Sequence, residues 1–247
     1  MYRICEKDYI SSNNYSSIFE KYPFPLDTFQ KYAIEAIEEG HNVLVAVPTG
    51  SGKSLPGEYA IKKFCEDGKK VIYTSPIKAL SNQKHKEFSK KFPNISFGIV
   101  TGDTNNNSDA DCLIMTTEIL WKTLFQTRMK ENKSINADKI ELHFDLKVED
   151  IGAVIFDEFH YINDRFRGHV WKQTVKMLPV EVVQVYLSAT IKISSCFLKW
   201  LGSNKMTWVS TSKKRIVPLQ HYSFYTELGR KETEKVSDLK TKDLLSN

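Results

Sequence analysis

The sequence predicts an α/β domain built on a mostly parallel, twisted sheet with helices on both faces. Two observations predict it: short β-branched apolar runs recur along the chain, and amphipathic segments of helical length separate them. A third points the same way. The residues able to do chemistry fall mostly just after these runs, where open α/β sheets place their ligands.

The candidate strands are Asn42–Val47, Lys70–Thr74, Ser96–Val100, Cys112–Met115, Ala153–Phe156 and Val182–Leu187. Their near-continuous apolarity is what a strand buried on both faces requires. Ala79–Phe92 reads as an intervening helix, with Leu80, Phe88 and Phe92 among its apolar positions in a Lys-rich background. Strands alternating with helices give a doubly wound domain. Two stretches break the rhythm. Residues 126–144 are Lys- and Asn-rich, then alternate Ile140, Leu142, Phe144 and Leu146 with polar residues, an inserted half-exposed strand or hairpin. From Gly229 the chain is charged and poor in large apolar residues, as a linker would be. The expected organisation is an extension over 1–23, a domain over 24–228 and a linker over 229–247.

With 41% hydrophobic residues the chain can bury a sizeable core, and 26% charged residues is ordinary for a water-soluble protein. No apolar run approaches the roughly 18–20 residues that span a bilayer, and the N-terminus has no signal-peptide character. An intracellular protein with no membrane partner is expected. Cys5, Cys65, Cys112 and Cys196 are scattered, with neither a C-x-x-C pair nor zinc-finger spacing, which suits reduced thiols. A net charge of +5 is compatible with a phosphate backbone as partner but does not establish one.

Pro48, Thr49, Gly50, Ser51, Gly52, Lys53 and Ser54 follow a candidate strand and precede a candidate helix, the context of a phosphate loop. Glycines let backbone N–H groups turn inward around a phosphate, and the next helix adds its dipole. Lys53 would neutralise the β- and γ-phosphates, and the Ser54 hydroxyl would ligate Mg²⁺. Val47 stands where the general pattern has its first glycine.

Asp157, Glu158, Phe159 and His160 follow the buried run Ala153–Phe156. Two carboxylates at a strand end are costly unless they meet a cation or a substrate. Asp157 is suited to hold Mg²⁺ through a water, and Glu158 to orient or deprotonate the attacking water. Ser188, Ala189 and Thr190 end a third apolar run; alone they read as a cap or turn.

Taken in order, these segments resemble the motifs of superfamily 2 helicases. VPTGSGKS resembles motif I, YTSPIKALSNQK motif Ia, LIMTTEIL motif Ib, DEFH motif II and LSAT motif III. The wording SPIKALSNQK, TTEIL, DEFHYINDRFRGHVW and the later RIVPLQH is similar to superkiller-type DExH RNA helicases, the clade that feeds RNA to the exosome. The resemblance runs from about Phe24 to Tyr225. It implies a RecA-like lobe that binds ATP with Mg²⁺, grips RNA, and works with a second RecA-like lobe and RNA-decay partners. It implies that Gln30, in FPLDTFQ, reads the adenine edge, with Phe24 or Leu26 packing on the base. Asp27 is equally suited to cap the helix that follows. It implies that His160 joins Ser188, Ala189 and Thr190 in coupling the two ligands. Pro76, Lys78, Ala79, Leu80, Gly102, Asp103, Thr116, Thr117 and Glu118 fall where the family holds the nucleic-acid backbone, a sequence-independent and salt-sensitive contact.

Several positions depart from that pattern. Pro56 and Gly57 stand where helix-favouring aliphatics are usual, and Lys172 and Gln173 replace two glutamates after Trp171. Motifs IV to VI, with the arginine fingers, are expected in the second lobe. Two other functions fit the same residues: a DNA helicase of related build, and a non-catalytic RNA-binding module. The intact Lys53, Ser54, Asp157 and Glu158 argue against the latter.

Overall fold

The computed structural model of the chain describes residues 1–10, 15–131, 147–212, 222–227 and 230–235. Met1–Lys213 form one compact unit and Lys214–Asn247 a second. In the first unit the chain runs β1 (Tyr2–Cys5), α1 (Ser16–Phe19), α2 (Thr28–Glu38), β2 (Asn42–Ala46), α3 (Leu55–Glu66), β3 (Lys70–Ser75) and α4 (Lys78–Lys91). It continues through β4 (Phe97–Val100), β5 (Asn105–Asn106), β6 (Cys112–Thr116), α5 (Thr117–Glu131), β7 (Ile151–Phe156), α6 (Gly168–Met177), β8 (Val183–Ser188), α7 (Ser195–Leu201) and β9 (Thr207–Thr211).

The strands form a nine-stranded sheet in the order β1-β9-β2-β8-β7-β3-β6-β4-β5. Only β4–β5 is antiparallel; every other neighbouring pair is parallel. Parallel strands end at one edge, so the segments that follow them are collected there. The ends of β2, β8 and β7 lie side by side, with Ala46 opposite Ser188 and Phe156 opposite Tyr186. The ends of β3, β6 and β4 follow along the same edge.

Side chains alternate between faces along each strand, and the core is accordingly in two layers. Phe156, Phe159, Trp171 and Tyr186 pack on one face with Leu120 and Leu198. Phe29, Tyr73, Phe88, Ile155 and Leu187 pack on the other. Burial of each such side chain stabilises the fold by about 1.5–3 kcal/mol. Trp171 is fully buried, so Trp171→Ala would cost about 3–5 kcal/mol. The unexpected Gly57 has its reason here. A Cβ at Gly57 would lie 3.2 Å from both Ile155 Cγ2 and Leu187 Cδ1, so its absence lets α3 close tightly onto β7 and β8. The helix gives up about 1 kcal/mol of propensity relative to alanine for that approach. Pro56 sits at the first positions of α3, where no backbone donor is lost.

Three boundaries differ from the sequence reading. Residues 1–23, expected ahead of the domain, supply the edge strand β1, paired in parallel with β9. Residues 126–131 are the last turns of α5, while the alternating run from Ile140 to Leu146 lies outside the described residues. The first compact unit ends at Lys213 rather than at 228. In the second unit β10 (Tyr222–Glu227) and β11 (Arg230–Lys235) make an antiparallel ribbon, so the segment read as a linker from Gly229 contributes a strand. RIVPLQH (215–221) lies outside the described residues.

Candidate nucleotide site and nucleic-acid seat

The candidate phosphate loop, residues 48–54, leaves β2 and enters α3. Gly50 and Gly52 have φ of +82° and +80°, values that residues with a Cβ rarely adopt. A Cβ on Gly52 would also stand 2.8 Å from Gln30 Nε2. Both glycines are therefore required by the turn. Ser51 is buried and its Oγ has no hydrogen-bond partner among the described residues.

Neighbouring strand ends bring the charged groups together. Lys53 Nζ lies 2.6 Å from Glu158 Oε1 and 4.0 Å from Asp157 Oδ1. Lys53 and Asp157 are both buried, so each charge stands only because the other partly balances it. Asp157 is fixed on both oxygens: Oδ1 accepts the Glu158 N–H at 2.9 Å, and Oδ2 accepts the Tyr73 hydroxyl at 2.6 Å. Burial, and then the adjacent Asp157 carboxylate, push the Tyr73 hydroxyl well above its ordinary pKa. It therefore remains a donor. Glu158 has φ 49° and ψ 47°, a left-handed conformation uncommon outside glycine and costly enough to be kept mainly where structure enforces it. That kink turns the carboxylate from the strand toward Lys53. His160 Nδ1 lies 3.3 Å from Glu158 Oε2 without the alignment of a hydrogen bond. Ser188 is buried, its Oγ unpartnered among the described residues, and it lies beside the loop through the Val47 N–H to Ser188 O bond of 3.1 Å. Ala189 is half-buried and Thr190 exposed beyond it. Orphaned buried hydroxyls are rare in folded proteins; Ser51 and Ser188 place two of them at this site.

Gln30 is buried in α2. Its Oε1 accepts the Asp27 N–H at 2.9 Å, a capping-box bond, and its Nε2 donates to Gly52 O at 3.3 Å. One amide thus serves the helix cap and the phosphate loop together. Of the two candidates for packing on a base, Phe24 is 49% exposed and presented. Leu26 is not: it is buried against Ile34 and Leu55 and supports the site from beneath.

The second set of predicted residues gathers farther along the sheet edge, after β3, β4 and β6. Pro76, Thr116 and Thr117 are buried; Lys78, Ala79, Gly102 and Asp103 are exposed, with Leu80 half-buried. Thr117, at the start of α5, has a buried Oγ1 with no hydrogen-bond partner among the described residues. Lys78 bonds Asp103, and Glu118 receives Arg167. The two carboxylates therefore hold cations and are not themselves suited to a phosphate.

Sequence reasoning missed three residues. Tyr73 lies inside a buried run, where only the rule that buried tyrosines find a partner gives a hint. Arg167 donates Nε to Glu118 Oε1 at 2.8 Å and an Nη to Pro76 O. It ties the segment after the DExH box to two separate parts of the seat, and no local pattern announces such a bridge. Gln173 accepts the Trp121 indole N–H at 2.8 Å, so an amide oxygen fills the place where relatives in the pattern carry a carboxylate. Among the described residues no cluster of three or more His, Cys, Asp or Glu could hold a metal ion, and no helix is long and apolar enough to cross a membrane.

The model of the DEAD/DEAH box helicase family matches residues 27–196. The chain is 44% identical over 201 residues to antiviral helicase SKI2 of Saccharomyces cerevisiae, covering 81% of this chain and 14% of that protein. It is 39% identical over 207 residues to exosome RNA helicase MTR4 of Homo sapiens, covering 83% and 18%. The chain thus spans less than a fifth of these relatives. Among solved structures, Mycobacterium smegmatis helicase Lhr bound to single-stranded DNA and AMP-PNP superposes with a TM-score of 0.54 at 26% identity, covering 74% of this chain and 25% of that one. The DUF1998 helicase MrfA bound to DNA gives 0.60 at 18% identity, covering 85% and 31%, a likeness of fold. The matched span takes in both the 48–54 loop and Asp157–His160 and covers more than half of the chain, and the chain belongs to the DEAD/DEAH box helicase family.

Proposed function

We propose that this domain is the first RecA-like lobe of an ATP-dependent RNA helicase, binding ATP with Mg²⁺ and the RNA backbone and coupling hydrolysis to movement along single-stranded RNA. One observation carries the reading. The Lys53–Glu158–Asp157–Tyr73 constellation faces the phosphate loop, and Arg167 ties the segment after it to the second seat.

The residues present fit the nucleotide and the ion. Gly50 and Gly52 open the loop for a phosphate, and Ser51 offers a hydroxyl that no other group among the described residues uses. Ser54 and Asp157 would hold Mg²⁺ alongside waters and phosphate oxygens, which is how this ion is usually bound. When bound, Mg²⁺ neutralises charge on the β- and γ-phosphate oxygens. Lys53 moves from Glu158 to the phosphates, which releases the Glu158 carboxylate to accept a proton from the attacking water. Tyr73 keeps Asp157 in one orientation throughout. Gln30 and Phe24 take the adenine, and the Gln30 bond to Gly52 O makes base recognition sensitive to the loop.

At the seat, the α5 N-terminus, Thr117 Oγ1 and the backbone around Pro76 and Gly102 suit phosphates and read no base. Such contacts do not distinguish ribose from deoxyribose, so a DNA substrate is the second reading, supported by the likeness to Lhr with single-stranded DNA. The name of the human relative, exosome RNA helicase MTR4, supports RNA as the substrate and the exosome as a partner. The test joins the domain to its second lobe and compares ATPase stimulation by RNA and DNA oligonucleotides. RNA stimulation that Glu158→Gln abolishes while ATP still binds is expected. Stimulation by DNA alone, or hydrolysis by Glu158→Gln at the unaltered rate, would overturn the reading.

A further inference from the structure

The turn between the DExH box and α6 presents a side chain that neither site uses. Phe166 is 79% exposed, yet its backbone is firmly held. Asp164 Oδ1 accepts the N–H groups of Phe166 at 2.9 Å and Arg167 at 2.7 Å, and the Gly168 N–H bonds Asp164 O at 3.0 Å. Those donors hold the Asp164 carboxyl below its ordinary pKa, so the turn stays made at neutral pH. A Cβ on Gly168 would come within 2.4 Å of Ile162 O, so the end of the turn packs closely on the Ile162 carbonyl. A large apolar side chain is thus fixed in water, where burial would otherwise return about 1.5–3 kcal/mol.

Arg167 reaches Pro76 O and Glu118 from the next position, which sets this turn against the nucleic-acid seat. Charge sharpens the picture. Lys78 is paired with Asp103 and Arg167 with Glu118. Arg165 makes no ion pair among the described residues, and its guanidinium lies 5.9 Å from the Phe166 ring centroid. An exposed ring with an unpaired guanidinium beside it is the combination that binds single strands, because every base offers a π-face and every linkage a phosphate.

We propose that Arg165 and Phe166 form an additional contact to single-stranded RNA, Phe166 stacking on one nucleobase and Arg165 bonding the adjacent phosphate. The proposal rests on the RNA-binding reading of the seat. It adds a base platform to a surface whose other groups suit backbone alone, and so gives grip without sequence preference.

The test is fluorescence anisotropy of the 247-residue chain with a labelled oligouridylate and an abasic ribose-phosphate strand of the same length. Phe166→Ala is expected to weaken oligouridylate binding about 5- to 150-fold, the range that base stacking supports. Phe166→Trp should keep it, and the abasic strand should bind unaltered and Ala proteins alike. Arg165→Gln should lower the salt slope by about 1. Oligouridylate binding by Phe166→Ala equal to that of the unaltered chain overturns the proposal and leaves the ring to a protein partner such as the second lobe. An equal loss on the abasic strand overturns it too. Failure of the unaltered chain to bind either strand instead refutes the RNA reading beneath it.

Discussion

Tyr73→Phe isolates one atom of the site. It removes the hydroxyl that donates to Asp157 Oδ2 at 2.6 Å and leaves the ring, which packs edge-on to Phe88 at 5.1 Å. Both residues are almost wholly buried, so water does not replace the lost donor. A hydrogen bond to a charged group contributes about 1.5–3 kcal/mol. The lower end is the better expectation, because Asp157 keeps the Glu158 N–H on Oδ1 and Lys53 at 4.0 Å. At ~2 kcal/mol, a domain of this size should lose roughly 4–8 °C in Tm. Urea unfolding of Tyr73→Phe, Asp157→Ala and the double variant measures it, since alanine leaves the Tyr73 hydroxyl no acceptor at that position. The cycle should return a coupling of about 1.5–2 kcal/mol between the two positions. With Asp157 free to turn, the Mg²⁺ concentration needed for nucleotide binding should also rise. A coupling under about 0.5 kcal/mol with unchanged Mg²⁺ dependence would refute the claim that Tyr73 orients Asp157.

Lys53→Ala should abolish measurable ATP binding by calorimetry, because the ammonium proposed to neutralise the β- and γ-phosphates is lost and Glu158 is left without its balancing charge; unchanged affinity would refute the phosphate-loop assignment. Arg167→Ala should weaken RNA binding severalfold in anisotropy while leaving ATP affinity intact, since its bonds go to Pro76 and Glu118 and not to the loop. Equal loss of both ligands would mean the residue acts on the fold as a whole. Stability should fall at alkaline pH. Burial raises Cys5 to about 11 and Cys65 and Tyr22 to about 12, and pushes Tyr73 and Tyr186 up as well. The folded chain therefore keeps protons that the unfolded chain gives up. That contribution is complete below the ordinary values of 9.0 for Cys and 10.0 for Tyr and is lost as pH rises through the folded values. Urea midpoints at about pH 8 and pH 10.5 compare the two regimes; a midpoint that does not fall would contradict the buried-thiol and buried-phenol account.

The strands were legible because burial on both faces demands unbroken apolar runs, and all six expected runs are strands within a residue or two of their predicted ends. Thr207–Thr211 and Tyr2–Cys5 were not recognised, since short runs mixed with polar residues carry no strong period; they are strands because they pair with β2 and with each other. Gly57 looked like a defect in a helix. Its reason is the distance to Ile155 and Leu187, residues far away in sequence.

By itself the sequence named the groups proposed to do the chemistry: Lys53, Asp157 and Glu158 stand in local motifs, since a candidate phosphate loop and a strand-end carboxylate pair are short-range patterns. Only the tertiary structure decided what those groups touch. The 2.6 Å contact of Lys53 with Glu158, the Tyr73 hydroxyl on Asp157 and the Arg167 bridge from Pro76 to Glu118 each join segments that parallel strand order alone brings to one edge. Hydrogen bonds act over about 3 Å whatever the sequence separation, and a linear pattern does not register them.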